Sequence, residues 1–517
     1  MKLNYKRTIF VGFAFFLICT FWQAYDSIIP KILVDKFGMN QTYSGIIMAL
    51  DNVLALVLLP LFGAISDRCH SKRGRRTPFI LIGTIIAVIA FVGLSFADNV
   101  QKSNIAQVSK IDDPSALSVL YQTEGDKTLR DVDGNEYVLS DIFTEQEYVE
   151  IKSQVADENG KVITNPDYTD YVVPARQSYA WEQTQNNPTT LIVFIGILLI
   201  ALLSMSIFRS PAVALMPDVT IKPLRSKANA VINLMGTAGG ILVLALGIVF
   251  KTGSVANSLM SYTSFFMIVG GIMLLALLAF RVLVKEPLWV RDMEEESNRY
   301  HIDQEEQLNE GQKHSLTKGQ LASLLLILAS VVLWFMGYNA VTSKYSIYAD
   351  KVLGLDYNST LMIANIAAII SYLPVGFIAS RIGRKKTILA GVVMLAGSFT
   401  VAAFLRGGSS ALLMNCMFAL AGIGWATINV NSFPMVVELS KGSNVGRYTG
   451  FYYTASMAAQ IATPVLSGYI MDKTGMTSLF PYAAILVAAA FITMVFVHHG
   501  DSRPPKKGTL ETFDVDK

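Results

Sequence analysis

The chain has 517 residues, of which 52% are hydrophobic and 16% are charged, and its formal net charge is only +3. Soluble proteins carry roughly 25% charged residues, so this composition favours membrane spans repeated along the whole chain and excludes a disordered or collagen-like chain. The mean hydropathy of +0.44 agrees. The small net charge gives no indication of nucleic-acid binding.

Twelve segments are long and apolar enough to cross a bilayer, which takes about 20 residues in a helix. Because lipid offers no partner to unpaired backbone groups, we expect all twelve to be helical. The first apolar run has no small-residue cleavage site before it, so we expect it to be retained. The predicted spans are Ile9–Pro30, Tyr43–Ile65, Pro78–Ala97, Thr190–Phe208, Asn229–Phe250, Tyr262–Val284, Gln320–Val341, Ser359–Ala379, Thr387–Leu405, Ser410–Asn431, Tyr448–Ile470 and Ser478–Val497.

The distribution of lysine and arginine predicts the orientation of these spans. If both termini are cytoplasmic, the cytoplasmic segments hold 28 of these residues. The short external loops then hold seven, namely Lys31, Lys36, Lys251, Lys344, Lys351, Arg406 and Lys473. We therefore expect a multi-pass protein of the plasma membrane, in a bacterium the inner membrane, with both termini in the cytoplasm.

An internal repeat divides the spans into two halves. Residues of the first half recur 313 positions later: Tyr25–Asp26 matches Tyr338–Asn339, Asn52 matches Asn365, Gly63 matches Gly376 and Arg68 matches Arg381. The offset falls from 310 at Thr77 to 220 at Asp218, so about ninety extra residues lie between the third and fourth spans. Parallel halves predict a transporter with its binding site between them, near the bilayer midplane.

The inserted segment, residues 98–188, is polar and acidic, with 17 acidic and 7 basic residues. None of the three cysteines lies in it, so no disulfide framework supports it. Residues 126–139 and 155–164 place Asp-Gly or Asn-Gly between strand formers, which predicts hairpins. The spacing of Asp131, Asp133 and Glu136 does not fit a calcium loop. We expect a small β-rich module whose core contains Tyr121, Tyr137, Tyr148, Tyr168, Tyr171, Tyr179 and Trp181.

The expected architecture is an all-α membrane protein of two pseudo-symmetric six-helix bundles with this external insert. The predicted parts are helices 1–3 of the first bundle (1–97), the insert (98–188), helices 4–6 (189–284), a cytoplasmic linker (285–318), the second bundle (319–499) and a cytoplasmic tail (500–517).

A loop motif follows the second span and reads Gly63-Ala-Ile-Ser-Asp67-Arg68-Cys-His-Ser-Lys-Arg73-Gly74-Arg75-Arg76-Thr-Pro78-Phe79-Ile80. A weaker copy, residues 376–386, lies at the equivalent place in the second half. The motif resembles the loop signature of the major facilitator superfamily. The sequence of the motif is most similar to that of the sucrose/proton symporter branch, which includes plant sucrose transporters and their animal and bacterial relatives. The resemblance covers the twelve spans, leaves out the insert, and implies a sugar/proton symporter.

The basic loop around Asp67 can pair with carboxylates and helix ends on the inner face. Opening that face would break such pairs, so we interpret the cluster as a gate of a two-state rocking motion; the alternative is that the arginines only set topology. The candidate gate residues are Gly63, Asp67, Arg68, Arg75, Arg76, Asp218, Arg225, Arg381, Arg384, Glu438 and Arg447.

Charged side chains at membrane depth are costly and mark functional sites by default. This chain offers Asp26, Asp51 and Arg209 as candidates for ion coupling. Plant members of the resembled branch carry an acid about eleven residues before the arginine, whereas here that stretch is Gly196-Ile197-Leu198-Leu199. Proton binding would then fall to Asp26, which we prefer, or Asp51. The matching positions of the second half are Asn339 and Asn429, so charge chemistry is confined to the first half.

Amide and aromatic side chains in the spans are candidate substrate contacts, because sugars offer hydroxyls to amides and apolar faces to rings. The same residues also suit helix–helix hydrogen bonding. The candidates are Trp22, Gln23, Tyr25, Asn52, Trp334, Tyr338, Asn339, Asn365, Trp425, Asn429, Asn431, Tyr452 and Gln460.

The sequence therefore predicts proton-coupled uptake of a disaccharide or other glycoside by alternating access, with sodium as an open alternative for the ion. Two other functions stay open: a proton-coupled exporter of small amphipathic compounds, and a transporter-like membrane sensor. No nucleophile, metal or nucleotide motif is present, so we expect no enzyme activity, no cofactor and no bound metal. We expect a monomer whose partners are the sugar, the ion and the lipid bilayer.

Overall fold

A computed structural model describes residues 3–156, 160, 162–221, 224–299, 317–439 and 445–500. At residues 225–227, 229, 230, 373, 376, 377, 380, 437, 438, 445–447 and 449 the backbone alone is described. Twelve long helices dominate this part of the chain. They are α1 (Tyr5–Lys31), α2 (Gln41–Asp67), α3 (Thr77–Asn104), α8 (Thr189–Asp218), α9 (Arg225–Phe250), α10 (Thr263–Leu283), α12 (Lys318–Tyr348), α13 (Tyr357–Ile382), α14 (Arg384–Ala402), α15 (Ala411–Glu438), α16 (Val445–Thr474) and α17 (Leu479–Val495).

Each long helix corresponds to one predicted span, and the predicted all-α membrane fold is confirmed. Within the described residues, ten of the twelve are long and apolar enough to cross a membrane. The other two, α13 and α16, have 26 and 30 residues and pack among the ten. Several helices run beyond the predicted limits; α8 continues for nine residues past Arg209.

The two halves form separate hydrophobic cores. One cluster of buried side chains joins α1, α2, α3, α8, α9 and α10, and a second joins α12 to α17. The halves also share local features, since α1 and α12 each continue into a π-helical segment, at Ile32–Lys36 and Ala349–Leu353. Asn40 and Asp356 then cap the next helix of each half. These shared features agree with the repeat seen in the sequence.

The insert contains both predicted hairpins, each made of three-residue strands. β1 (Thr128–Arg130) pairs with β2 (Glu136–Val138), and β3 (Gln154–Ala156) pairs with β4 (Val162–Thr164). Short helices make up much of the remainder: α4 (Pro114–Glu124), α5 (Leu139–Ile142), α6 (Glu145–Val149) and α7 (Val173–Asn186).

The insert has its own hydrophobic core, which includes most of the predicted aromatic residues. Tyr148, Tyr168 and Tyr179 are buried in it, and Tyr121, Tyr137 and Tyr171 pack against it. Trp181 differs, because it packs on the core of the first bundle and stacks on Tyr43 of α2. We call the membrane side that carries the insert the insert face, and the opposite side, where α1 begins, the terminal face.

Candidate functional site

A cavity of about 180 Å³ lies between the two bundles. Five helices supply its walls: α1, α2 and α8 from the first bundle, and α12 and α16 from the second. Seven of the predicted site residues line it: Trp22, Asp26, Asp51, Asn52, Arg209, Asn339 and Gln460. We call this space the central cavity.

The first-bundle wall of the central cavity carries its charges. Asn52 Nδ2 donates a hydrogen bond of 2.7 Å to Asp51 Oδ1. The Arg209 guanidinium lies over the Trp22 ring, 5.5 Å from its centroid, in a cation–π contact. No hydrogen bond to the Asp26 carboxylate is found among the described residues. The wall therefore holds two acids and one base, and in the described part of the chain Asp26 is the acid that accepts no hydrogen bond.

The second-bundle wall is neutral and polar. Asn339, Thr342 and Ser343 come from α12, and Gln460 comes from α16. Asn339 Nδ2 is buried and has no hydrogen-bond partner within the described residues. A buried donor left unpaired is costly, so this amide is available to a bound solute. The structure thus brings Asp26 and Asn339, matched by the repeat, to opposite walls of one cavity.

Four lining residues were missed in the sequence: Met48, Thr342, Ser343 and Pro464. Each lies three or four residues from a predicted site residue: Thr342 and Ser343 follow Asn339 by about one helical turn. Met48 precedes Asp51 in the same way, and Pro464 follows Gln460. Residues at this spacing share a helix face, so the signal was present once the cavity-facing residue of each helix was known.

The other predicted substrate contacts lie elsewhere. Gln23 Nε2 donates to Ser27 Oγ over 3.1 Å, and Tyr25 and Trp334 are fully buried in the two bundle cores. Tyr452 shares a hydrogen bond of 2.9 Å with Ser432. The remaining ones lie within the second bundle, away from the lining of the central cavity: Tyr338, Asn365, Trp425, Asn429 and Asn431.

Tyr338 and Trp425 form a stacked pair, with ring centroids 3.7 Å apart and an interplanar angle of 2°. Tyr338 precedes the cavity-lining Asn339 on α12. The pair therefore packs α12, which carries the neutral wall, against α15.

At the terminal face, the predicted gate motif forms ion pairs with the end of α8. Arg75 Nη2 lies 2.7 Å from Asp218 Oδ1, and Arg76 Nε donates to Asp218 Oδ2 over 2.8 Å. Arg76 also pairs with Asp67, at the end of α2. These pairs all lie within the first bundle. Gly63 allows the close approach of Ser210 on α8, and Arg68 is exposed at the end of α2.

One residue of this region was missed in the sequence. Glu286, in the first turn of a further helix, α11 (Glu286–Arg299), accepts hydrogen bonds from the backbone N–H groups of Arg76 and Thr77, both 2.8 Å. It also accepts one of 2.7 Å from Thr77 Oγ1. A carboxylate at the start of α3 satisfies unpaired N–H groups and complements the helix dipole. The contact could not be predicted from the residues around Glu286, because Arg76 and Glu286 are 210 residues apart in the sequence.

The second-half gate residues are less fully described. Arg381 lies in the last turn of α13 and Arg384 begins α14. The side chains of Arg225, Glu438 and Arg447 lie outside the described residues.

At the insert face the two bundles are held together. Lys31 at the end of α1 pairs with Asp350, which follows α12, and Lys351 Nζ lies 3.3 Å from Asp35 Oδ1. Asp472 of α16 accepts hydrogen bonds from the N–H groups of Gln41 (2.9 Å) and Thr42 (2.7 Å) at the start of α2. The four charged groups of the ion pairs are buried, whereas Asp472 is half-buried. Together these contacts close the structure between the central cavity and the insert face.

Solved structures resemble the fold of this chain over nearly its whole length. The inward open conformation of the xylose transporter XylE from E. coli aligns with a TM-score of 0.60 at 12% identity, covering 96% of this chain and 97% of that one. A bacterial homologue of the iron transporter ferroportin in an inward-facing state aligns with a TM-score of 0.59 at 12% identity, covering 96% and 98%. At this identity the likeness shows the fold alone.

Curated relatives match over short stretches. The MFS-type transporter ppzB of Metarhizium rileyi is 26% identical over 122 residues, which are 24% of this chain and 25% of that protein. The sucrose transport protein SUC3 of Arabidopsis thaliana is 34% identical over 67 residues, 13% and 11% of the two chains. The human proton-associated sugar transporter A is 33% identical over 103 residues, 20% and 13%. The matched stretches thus span about a quarter or less of each relative.

Two family models match the chain. The model described as MFS/sugar transport protein matches residues 11–111. The model of the Major Facilitator Superfamily matches residues 179–443 and 365–515, which together are more than half of the sequence. This chain therefore belongs to the Major Facilitator Superfamily.

Proposed function

We propose that this protein takes up a neutral sugar, a disaccharide or other glycoside, together with a proton, by alternating access at the central cavity. The observation that carries the proposal is the division of that cavity: a wall with Asp26, Asp51 and Arg209 faces a wall of amides and hydroxyls. One wall can exchange a proton, and the other can hydrogen-bond a polyol without adding charge. Membership in a superfamily of transporters supports transport rather than catalysis.

The names of several relatives support the substrate class. A sucrose transport protein and a proton-associated sugar transporter share stretches of 33–34% identity with this chain. The chemistry of the neutral wall fits such a solute, because Asn339, Thr342, Ser343 and Gln460 can donate to and accept from sugar hydroxyls. Trp22 offers an aromatic surface on the opposite wall.

We assign proton binding to Asp26 rather than Asp51. A carboxylate that already accepts a hydrogen bond is stabilised in its charged form, and Asp51 accepts one from Asn52. Asp26 has no such donor within the described residues, and Arg209 lies on the same wall. Substrate binding against Asn339 can therefore be linked to the charge of Asp26 across the cavity. Sodium is the alternative ion, since the same oxygens could bind it.

The orientation predicted from the lysine and arginine distribution completes the proposal. With both termini cytoplasmic in a plasma membrane, the insert is external, and the structure is closed to the outside. The Arg75–Arg76–Asp218 cluster then lies on the cytoplasmic side, where we propose that it forms part of the inner gate.

Uptake by purified full-length protein in proteoliposomes tests this function. Labelled sucrose, maltose and a neutral amphipathic compound are presented under an imposed proton gradient, a sodium gradient, or none. We expect accumulation of at least one sugar that depends on the proton gradient. Sodium-dependent accumulation would reassign the ion, and gradient-driven accumulation of the amphipathic compound alone would contradict the sugar assignment.

The variant Asp26→Asn separates binding from coupling. We expect it to abolish accumulation against a gradient, because the amide cannot carry the proton, while exchange of labelled for unlabelled sugar continues. Asp51→Asn is the matched control and should retain proton-driven accumulation. Accumulation by Asp26→Asn at the rate of the unmodified protein would move the proton site away from Asp26.

A further inference from the structure

A second cavity, of about 320 Å³, lies at the insert face where the insert meets both bundles. We call it the outer cavity. Three parts of the chain wall it: β1 and α7 of the insert, the start of α2, and the end of α16. Its lining includes Gln41, Arg130, Gln177, Ser178, Trp181 and Asp472. We propose that this cavity is an outer binding site for the same neutral, polyhydroxylated solute. The proposal rests on the function proposed above.

The outer and central cavities lie on one seam between α2 and α16. Gln41 and Met471 line the outer cavity, whereas Met48 and Pro464 line the central one. Seven residues separate the two levels on each helix, which corresponds to about 10 Å along the axis. A solute in the outer cavity is therefore about two helical turns from the central cavity.

Between these levels the seam is closed by backbone contact. A Cβ at Gly45 of α2 would lie 2.1 Å from the Pro464 carbonyl oxygen, and one at Gly468 of α16 would lie 2.3 Å from the Gln41 carbonyl oxygen. Only glycine permits such an approach. When the bundles separate at the insert face, this contact opens and joins the two cavities directly.

The charged groups around the outer cavity already have partners, either an opposite charge or neutral hydrogen-bond donors, which favours a neutral solute over an ion. Arg130 Nη2 lies 2.5 Å from Glu136 Oε1, and Lys351 lies 3.3 Å from Asp35. Asp472 accepts from the start of α2, as described above, and Asp131 accepts 2.8 Å hydrogen bonds from Asn135.

Uncharged groups remain for the solute. Gln41 is 5% exposed, and its Oε1 has no hydrogen-bond partner in the described part of the chain. Ser178 is half-buried on α7, and Trp181 contributes part of an aromatic wall. An amide, a hydroxyl and a ring are the groups that recognise a sugar, as in the central cavity.

The roof of the outer cavity is attached to both bundles. Gln177 Nε2 donates to the Met39 carbonyl oxygen over 2.9 Å, which ties α7 to the first bundle. The Met476 N–H donates to the Val132 carbonyl oxygen over 2.7 Å, which ties the first hairpin to the second bundle. The site is therefore complete only while the insert face is closed. This assigns the insert a role in holding solute at the outer side between transport cycles.

Equilibrium dialysis of the purified full chain with labelled sucrose and maltose tests the site. We expect two bound molecules of one of these sugars per chain. Ser178→Leu, which fills the outer cavity, should reduce the number to one and raise the transport KM by about 2–10-fold at unchanged kcat, as expected for lost hydrogen bonds. Gln185→Leu, an exposed substitution on the same helix, is the matched control.

The outcomes separate this proposal from the transport function. One bound sugar whose affinity falls in Asn339→Ala and is unchanged in both Ser178→Leu and Gln177→Ala overturns the outer site and leaves the central site intact. One bound sugar that is lost in Ser178→Leu and bound with unchanged affinity by Asn339→Ala supports the outer site and contradicts binding at the central cavity. The outer site is also overturned if neither Ser178→Leu nor Gln177→Ala changes the binding of any sugar.

Discussion

At the scale of single residues, the division of polar groups between the two walls of the central cavity determines what each can do. Asp26 and Asn339 occupy equivalent positions of the repeat and face the same space. The ionised carboxylate carries a charge and only accepts hydrogen bonds, whereas the amide is neutral and both donates and accepts them. The carboxylate of Asp26 can therefore take up and release a proton, whereas the amide of Asn339 cannot.

We expect Asn339→Ala to weaken sugar binding by about 2–10-fold, because one hydrogen bond to the solute is worth about 0.5–1.5 kcal/mol. The buried Nδ2 has no protein partner to lose among the described residues, so the thermal stability should change little. Binding is measured by equilibrium dialysis with the sugar identified by uptake. Asn99→Ala is the control, since that amide donates to Thr263 on α10, outside the cavity; equal losses in both variants would argue against a contact.

At the scale of elements, the linker helix α11 is attached to the first bundle at the terminal face. Glu286 accepts three hydrogen bonds, one from Arg76, which precedes α3, and two from Thr77, its first residue. Asp292 Oδ2 lies 2.6 Å from Arg7 Nη2 near the start of α1. The linker therefore holds the loop that carries Arg75 and Arg76 in place.

Glu286→Gln should lower the stability of the first bundle by about 1–2 kcal/mol, because the amide removes the charge that complements the start of α3 and leaves one donor unsatisfied. The expected observation is a lower thermal midpoint in detergent. Glu295→Gln on the same helix is the control, since Glu295 is exposed and its Oε1 lies 3.5 Å from Arg291 Nε, which is also exposed. A midpoint unchanged by both substitutions would contradict this role of Glu286.

The insert contains a carboxyl group with an unusual titration. Burial, together with the nearby acidic Asp131, raises the pKa of Asp170 to about 6. Its pKa in the unfolded chain is lower, so the folded insert binds more protons between about pH 4 and 6. The stability of the insert should therefore fall as the pH rises through this window and stay constant above it.

Asp170→Asn should remove this pH dependence and stabilise the insert at pH 7 by up to about 1 kcal/mol, because solvent screens a partly exposed carboxylate. Hydrogen exchange of insert amides at pH 5 and 7, corrected for the intrinsic rate, measures the effect. The exposed Asp141→Asn is the control. Equal pH dependence in the Asp170→Asn variant and the unmodified protein would contradict the assignment.

At the scale of the whole molecule, buried ion pairs join the bundles at the insert face. Lys31 and Asp350 are both fully or nearly fully buried, and Lys351 pairs with Asp35 beside them. Removing one partner of a buried pair leaves an uncompensated charge, at a cost of about 3–5 kcal/mol. Separation of the bundles would let these groups contact water, so the loss should favour the open insert face.

Asp350→Leu should shift the molecule towards a state open at the insert face, whereas Lys31→Met combined with Asp350→Leu should shift it less. Spin labels at exposed Asn187 and Arg406, in a background with the three cysteines replaced, report the distance across this face. We expect a longer-distance population that is larger in the single variant than in the double one. Identical distance distributions in all three proteins would contradict a role of this pair in closure.

Much of the architecture was predictable because it depends on local properties. Each apolar run formed one helix, and the strand formers on either side of Gly134 and Gly160 paired as two hairpins. The charged residues of the central cavity were also identified, because a charge within an apolar span is conspicuous. The ion pairs of Lys31 and Lys351 were not identified from the sequence, where these lysines indicated only the orientation of the spans. Their buried partners come from distant segments.

The sequence by itself determined the number of spans, their grouping by the repeat, the place of the insert and the polar residues within the helices. Only the tertiary structure decided which of those residues face a common cavity, because the packing of neighbouring helices determines which side of each helix lines it. Tyr25 and Asp26 are adjacent in the chain, yet one is buried in the bundle core and the other lines the central cavity. The outer cavity likewise depends on the tertiary structure. Its walls come from the insert and both bundles, and no local sequence pattern predicts that these segments meet.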